Sequence, residues 1–453
     1  MSLFLDEVER IANIFKGIIK EKKVKIYSQY DTDGITSAAI LSRLLIREKK
    51  NFEIKILKQL NRFTASQINF TERDFLVFLD MGSGQLEYLK PIIEKTNVLI
   101  IDHHLPINYE HPNLLYLNPL LLNEKPEKYS TSIISYLFSK FFNPKNVELI
   151  DLAILGAIGD RREEGLEISE IRSVIEEAKM LGKIEVRKDL KIFGFNKPLY
   201  RAIAYSFEPF LPRIYGNEVA AIQFLKDLGI ELKDGERWRE LKDLSEEEKK
   251  KIADGIIKER EGKIEVSEVF GEVYRFSENP DFINDARELS VLINACSRSG
   301  FPDVALRLAL KDYSVYGFAL EIFENYRKEL AKAINFFEKD KIVEKENAIF
   351  LLGGNQISDS LIGVITSIFL NSLNSSKPIF GLAYDKVSNM IKISARAKRE
   401  DLNLKEVLGK VVTKIGGEAG GHKEAAGAFI PLGKEKEFIE VANKILGEMN
   451  AES

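Results

Sequence analysis

The chain has 453 residues, enough for two or three domains at ~100–200 residues each, and its 45% hydrophobic and 30% charged residues exclude collagen-like, disordered and disulfide-scaffold classes. Its single cysteine, Cys296, cannot form an internal disulfide and fits a reducing, cytoplasmic compartment. Lys+Arg 66 against Asp+Glu 70 leaves a net charge of −4, so phosphate binding has to come from local patches or from cations held among acids, not from a generally basic coat.

The opening residues, MSLFLDEVER, carry acids where a signal peptide needs an apolar run, and no stretch approaches the ~18 consecutive apolar residues of a membrane span. Six glutamines beside abundant Lys, Glu and Ile match the bias of proteins from hot environments. From Lys23 to Pro119 the runs KVKIYSQ, FEIKIL, DFLVFLD, NVLIID and LLYLNP read as buried strands separated by helices or tight loops, the pattern of an open, mostly parallel α/β sheet. Such sheets bind ligands beyond the carboxyl ends of their strands. The pattern then turns helical, with TSIISYLFSKF and VELIDLAILGAIGDRRE, and stays mostly helical through the middle. Ser245 stands three residues before Glu248, a capping-box spacing that makes SEEEKKK a solvated helix start. A stretch from Tyr313 to Asp340 with no proline and one glycine predicts one long helix. Beyond Ala348 the chain is α/β again: NAIFLL, KPIFGLAY, NMIKISAR and AAGAFIP read as strands, SDSLIGVITSIFL, LKEVLGKVVTKI and KEFIEVANKIL as helices. The expected division is 1–165, 166–312 as a mostly helical insert, 313–345 as a connecting helix, and 346–453 as a smaller α/β domain.

Two of the four histidines are adjacent, in Asp102-His103-His104. Further acids stand at predicted strand or helix ends: Asp31 and Asp33 in QYDTDG, Asp80 in FLVFLDMG, and Asp160 in LAILGAIGD. Carboxylates crowded on one rim repel each other unless cations hold them, so this cluster predicts a metal site. Oxygen-rich ligation with one or two imidazoles and no thiolate cluster suits Mn²⁺ or Mg²⁺ better than zinc. Two such ions ~3.5–4 Å apart can activate a water and steady the leaving oxygen of a phosphoester, which makes phosphodiester hydrolysis the expected reaction class. Gly34 allows a tight strand-to-helix turn, and the following helix amides favour an anion.

Near the C-terminus, Gly416-Gly417-Glu418-Ala419-Gly420-Gly421-His422-Lys423 reads as a glycine-rich loop able to cradle phosphate with its amides. From Lys392 to Lys423 eight Lys/Arg face four Asp/Glu, a local +4, and Arg396 can fork onto a phosphate.

At these residues the chain resembles the DHH phosphoesterase superfamily, and within it the archaeal RecJ-like single-strand exonucleases. Asp31-Thr32-Asp33-Gly34 is similar to the first family motif, Asp80 to the second, Asp102-His103-His104 to the third and Asp160 to the fourth. Gly420-Gly421-His422 with Ala425-Ala426-Gly427 resembles the phosphate-binding motif of the DHH-associated C-terminal domain. The segments NKPLYRAIAYSFEPFLPRIYGNE and ELSVLINACSRSG resemble the insert of the archaeal proteins.

This resemblance implies a two-metal, Mn²⁺-dependent exonuclease on single-stranded DNA or RNA, 5′-to-3′ on DNA, acting in replication or repair, with the strand threading between the two α/β domains. GINS, a replisome complex, is the implied partner. It also implies that Asp80 bridges two ions, that Asp31 serves one and Asp33, His103 and Asp160 the other, and that His104 contacts the scissile phosphate. Substrate contacts are expected from Arg396, Gly420, Gly421 and His422. Two residues before Asp31, relatives often carry His or Asp where this chain has Gln29. An amide oxygen is the weaker ligand, so a looser first metal site is expected. Two alternatives stand beside the exonuclease: a nanoRNase or nucleotide-bisphosphate phosphatase, and an inactive replisome scaffold of the same family.

Overall fold

Runs of β-branched and aromatic residues form a parallel sheet from β1 (Lys23–Gln29), β2 (Phe52–Leu57), β3 (Asp74–Leu79), β4 (Asn97–Ile101) and β5 (Leu114–Leu117), in the order β2-β1-β3-β4-β5. The structure is a computed structural model and describes residues 3–125, 128–160, 170–194, 197–206, 209–262, 264–337, 341–373, 375–399, 401–421 and 423–452. β3 is buried on both faces. Phe75, Val77 and Leu79 join a core with the helices Leu3–Ile18, Thr32–Arg47, Thr131–Phe142 and Ile150–Gly159, while Leu76 and Phe78 join a smaller core under the helix Leu86–Ile93. Phe15 packs edge-on against Phe75 at 5.0 Å and against Phe138 at 5.3 Å, and truncating such a ring costs ~3–5 kcal/mol. The strand order reverses between β1 and β3, the place where doubly wound sheets open a crevice at their carboxyl ends.

The chain divides into two compact units, Met1–Arg187 with Glu272–Phe323, and Lys188–Gly271 with Glu324–Ser453. Beside its helices, the middle of the chain carries β6 (Ile184–Leu190) paired with β9 (Phe270–Phe276), and the short hairpin β7 (Lys233–Asp234) and β8 (Arg237–Trp238). β7 and β8 escaped the helical reading because they are short and β6 because it is highly charged, whereas the strand-like run FGEVYRF of β9 was passed over. The Ser245 to Glu248 capping box forms in both directions, and the expected long helix spans Tyr316–Phe337 after a short 3₁₀ turn at Tyr313–Val315.

In the second unit β10 (Ile342–Glu344), β11 (Ile349–Gly354), β12 (Ile379–Asp385), β13 (Met390–Arg396), β14 (Glu418–Gly421) and β15 (Ala425–Pro431) form a sheet in the order β10-β11-β12-β13-β15-β14. Only β11 and β12 run parallel, so the sheet is mixed. Phe350, Phe380 and Phe438 meet in its core with ring centroids 5.4–6.2 Å apart. A separate core gathers Leu199, Ile203, Leu225, Ile252 and Ile256. Among the described residues no helix is long and apolar enough to cross a membrane.

Candidate active site

The loop after β1 begins the site. Asp31 caps the helix Thr32–Arg47, its Oδ1 accepting the Gly34 N–H at 3.1 Å. A side chain at Gly34 would place its Cβ 2.3 Å from the Gln29 carbonyl oxygen, so the turn is closed to anything larger than glycine. Asp33, one residue inside this helix, is buried with both oxygens occupied: Oδ2 accepts the N–H of Thr131 at 2.7 Å and Oδ1 that of Ser132 at 2.9 Å. These are the first amides of the helix Thr131–Phe142, whose positive dipole end supports the carboxylate.

Asp80 follows β3 directly and sits at φ +59°, a left-handed conformation that costs a non-glycine residue roughly 1–2 kcal/mol. Its Oδ1 accepts the Thr131 hydroxyl at 2.9 Å. After β4, Asp102 is fully buried and serves its neighbours. Its Oδ2 accepts Ser83 N–H at 3.0 Å, and its Oδ1 accepts the N–H groups of His103 at 2.8 Å and His104 at 3.2 Å and lies 2.6 Å from His104 Nδ1. Asn118, just past β5, donates to Ser83 Oγ at 2.9 Å and to the His104 carbonyl at 2.8 Å. Asp102 therefore orients His104.

His103 Nε2 lies 3.5 Å from Asp80 Oδ1 and 3.6 Å from Asp160 Oδ2. Asp160 ends the helix Ile150–Gly159, and that helix approaches closely because of its glycines. A Cβ on Gly156 would stand 2.3 Å from both Ser132 Oγ and Thr36 Oγ1, and one on Gly159 2.5 Å from Thr32 Cβ.

Charge follows from this packing. Burial, then the Asp160 charge, pushes Asp33 up to about 7 against the hydrogen bonds from Ser132. Asp80 is raised well above the carboxylate range by burial and by the Asp31 and Asp33 charges, and Asp31 is raised by burial. For His104 burial acts downward, but the Asp102 charge and hydrogen bond outweigh it and hold the imidazole at about 9. Asp102 is driven the opposite way, below the carboxylate range, where His104 overcomes the cost of burial.

Among the described residues two donor groups have ligand atoms within 4.8 Å of one another: Asp33, His103 and Asp160, and Asp80, His103 and His104. Asp31 belongs to neither, although it lies beside Asp80, close enough for its charge to raise the Asp80 carboxyl. The donor set fits a hard or borderline divalent cation, because buried carboxylates that resist ionisation in the protein alone become stable anions beside one. All six residues expected to form the centre thus meet on one rim.

The sequence reading missed the residues that hold these ligands. Thr131 and Ser132 carry a faint signal in the hydroxyl run Ser130-Thr131-Ser132, which caps a helix. Asn294, whose Oδ1 accepts Thr32 N–H at 3.0 Å, and Ser290, whose carbonyl accepts Thr32 Oγ1 at 3.0 Å, come from the remote helix Ala286–Arg298 and carry none. Arg298, at its end, is close enough to favour the Asp31 anion.

The C-terminal residues gather separately. Gly420 and Gly421 belong to edge strand β14 and not to an open loop, and His422 lies outside the described residues. Gly421, at φ +123°, faces Ala426 so closely that a Cβ would stand 2.6 Å from the Ala426 Cα. Strand pairing alone therefore requires glycine there. Arg396 pairs across the sheet with Ala425, its guanidinium donating to Ser367 Oγ at 3.1 Å, Ser394 Oγ at 3.2 Å and the Ala395 carbonyl at 2.8 Å. The Leu404 N–H donates to the Lys423 carbonyl at 2.8 Å, which brings the start of the helix Leu404–Ile415 to the end of this glycine strand. On that helix Lys405 has its pKa lowered by burial.

Residues 23–158 match the DHH family N-terminal domain, 192–265 the DHH-CID domain and 347–448 the DHHA1 domain. An uncharacterised protein of Methanocaldococcus jannaschii is 28% identical over 457 residues, covering 98% of both chains. The single-stranded-DNA-specific exonuclease RecJ of Thermus thermophilus is 24% identical over 170 residues, 34% of this chain and 24% of that protein. Its structure with Mn²⁺ superposes with a TM-score of 0.60 at 18% identity, covering 98% of this chain, which spans 55% of that longer one. CDC45 of Entamoeba histolytica superposes with a TM-score of 0.68 at 15% identity over 98% of this chain and 99% of its own. With its three domains in order and a RecJ-like fold, the chain belongs to the DHH phosphoesterase superfamily.

Proposed function

We propose that this chain is a metal-dependent exonuclease that hydrolyses phosphodiester bonds of single-stranded DNA or RNA. The observation that carries the reading is the meeting of Asp33, Asp80, His103 and Asp160 on one rim, with Asp31 beside Asp80. These residues would hold divalent ions, Mn²⁺ in the first place and Mg²⁺ in the second. When bound, such ions supply a nucleophilic water near neutral pH and neutralise the charge on the phosphate. The chain's own part is preorganisation. Helix amides fix Asp33, the Thr131 hydroxyl fixes Asp80, and the Asp102 carboxylate orients His104, which would contact the scissile phosphate.

In the second unit Arg396, Lys405, Gly420 and Gly421, with His422, would read the phosphate backbone. DNA single strands, RNA single strands and the GINS complex are the partners to test, and digestion 5′-to-3′ on DNA is the expected polarity.

The superposition on CDC45, over the full length of both chains, favours keeping a second reading, a replisome scaffold without cleavage. One experiment separates the two. The protein is incubated with DNA and RNA single strands labelled separately at each end, with Mn²⁺, Mg²⁺ or chelator, beside Asp80→Ala. Metal-dependent stepwise loss from one end, absent in the variant, supports the exonuclease; intact strands under every metal, with GINS binding retained, support the scaffold.

A further inference from the structure

The helix Ala286–Arg298 comes to the rim from a distant part of the chain and lays a polar stripe against it. Ser290, Asn294 and Arg298 follow one another at four-residue spacing and so share a face. Asn294 Oδ1 and the Ser290 carbonyl each hold Thr32, the residue between Asp31 and Asp33, at 3.0 Å. Beyond Arg298 the chain turns at Gly300, with φ +91°, and the Phe301 N–H donates back to the Cys296 carbonyl at 3.0 Å. Phe301 therefore stays within about two helical turns, ~10 Å, of Asn294. Its ring meets that of Phe318, near the start of the helix Tyr316–Phe337, edge-on at 5.3 Å. Both rings are open to solvent, Phe301 at 38% and Phe318 at 47%. Together they expose roughly 150–200 Å² of aromatic surface. That is far below the ~800 Å² a stable protein partner covers, but it matches one planar base. An edge-on contact uses the edge of one ring and one face of the other, so the pair keeps an aromatic face for a third ring.

We infer that Phe301, backed by Phe318, is a stacking platform for one unpaired nucleobase of the strand whose phosphate lies at the rim. This rests on the exonuclease reading above and deepens it: the first unit recognises a base as well as a phosphate. The substrate class is then a single strand with accessible bases, in preference to a duplex, whose bases are already stacked, or to a phosphoester without a base. Every base has a π-face, so the platform accepts any sequence. At 3.4 Å per nucleotide of stacked strand, its ~10 Å from Asn294 places the held base within about three nucleotides of the rim.

The test measures equilibrium binding of short phosphorothioate single strands to the full-length protein, with one abasic nucleotide walked along the strand from each end. The wild type should lose affinity about 5–100-fold when the abasic nucleotide falls at one position near one end, the range for a single stacked base, and far less elsewhere. Phe301→Ala should show that same loss on the intact strand and no further loss at that position. Phe301→Leu, which keeps apolar volume but has no π-face, should behave like the alanine variant. Phe301→Trp should bind at least as tightly as the wild type and regain the sensitivity to the abasic nucleotide. Phe318→Ala should weaken binding at the same position.

A wild type indifferent to the abasic nucleotide at every position overturns the inference and leaves the exonuclease reading standing. So does a Phe301→Ala protein that binds the intact strand as the wild type does, or a Phe301→Leu protein that keeps the position-specific effect. If Phe301→Ala does not fold, Phe301→Leu and the wild-type walk decide between these outcomes. A wild type that binds no single strand, with Mn²⁺ or with Mg²⁺, overturns the exonuclease reading itself.

Discussion

The rim of the parallel sheet and the glycine strand of the C-terminal sheet were both singled out by their residues, yet they are built by opposite means. At the rim three of the predicted ligands are held by something remote in sequence: Asp33 by the amides of Thr131 and Ser132, Asp80 by the Thr131 hydroxyl, and Asp160 through a helix whose two glycines press against Ser132, Thr36 and Thr32. At β14 Gly421 answers first to a local demand, the close pairing of one strand on the next. A glycine motif can thus be conspicuous for reasons of backbone geometry, whereas a cluster of buried acids held by main-chain donors has no comparable structural excuse, since burying them costs energy.

The comparison breaks most visibly at Asp80. Asp80→Ala should lower cleavage by at least about 10²–10³-fold, the loss seen when one preorganised electrostatic group is removed, while melting shows the fold intact. Retained turnover would move the chemistry elsewhere. Next in size is Gly156→Ala, whose new methyl would collide with Ser132 and Thr36. Overpacking of this kind costs ~1–3 kcal/mol, so both the melting temperature and the metal affinity should fall. Gly420→Ala is the control in the other region, because no atom lies within 4 Å of its Cβ and its stability should move by less than ~0.5 kcal/mol. If this alanine nevertheless weakens strand binding, the glycine strand does approach phosphate.

A third contrast is electrical. In the folded chain Asp33 holds its proton up to about 7 and His104 up to about 9, against ordinary values of 3.8 and 6.5. Between those limits the native state binds more protons than the unfolded one, so raising the pH destabilises the metal-free fold. Its melting temperature should fall from about pH 5 to about pH 9, and saturating Mn²⁺ should flatten the slope by replacing protons with a cation. A metal-free protein that is equally stable across the range would show that these groups titrate normally. The smallest effect is expected in the second unit: Arg396→Ala and Lys405→Ala should each reduce the salt dependence of single-strand binding by about one unit of slope and leave metal affinity alone.

Much of this was legible before any coordinates. Strand lengths, β-branched runs and the acids at their ends located the sheet and its rim, because a buried parallel strand must be apolar and a rim acid stands out against it. The strands β6, β7, β8 and β14 were not legible. IEVRKDL is too charged to read as a strand, β7 and β8 have two residues each, and EAGG has almost no side chains to show a period. Gln29 was conspicuous as a departure from relatives, but that its amide meets Asp80, fifty-one residues away, was not legible.

By itself the sequence determined which residue types could do chemistry and where along the chain they fall, since periodicity and strand-end position are local properties. Tertiary structure decided which of them meet and with what charge. It brought Asp31 beside Asp80, made Asp102 the anchor of His104, and brought Thr131 to Asp33 and Asn294 to the first loop. Those outcomes rest on contacts between residues far apart in the chain and on burial, and neither exists until the sheet and its helices have closed around them.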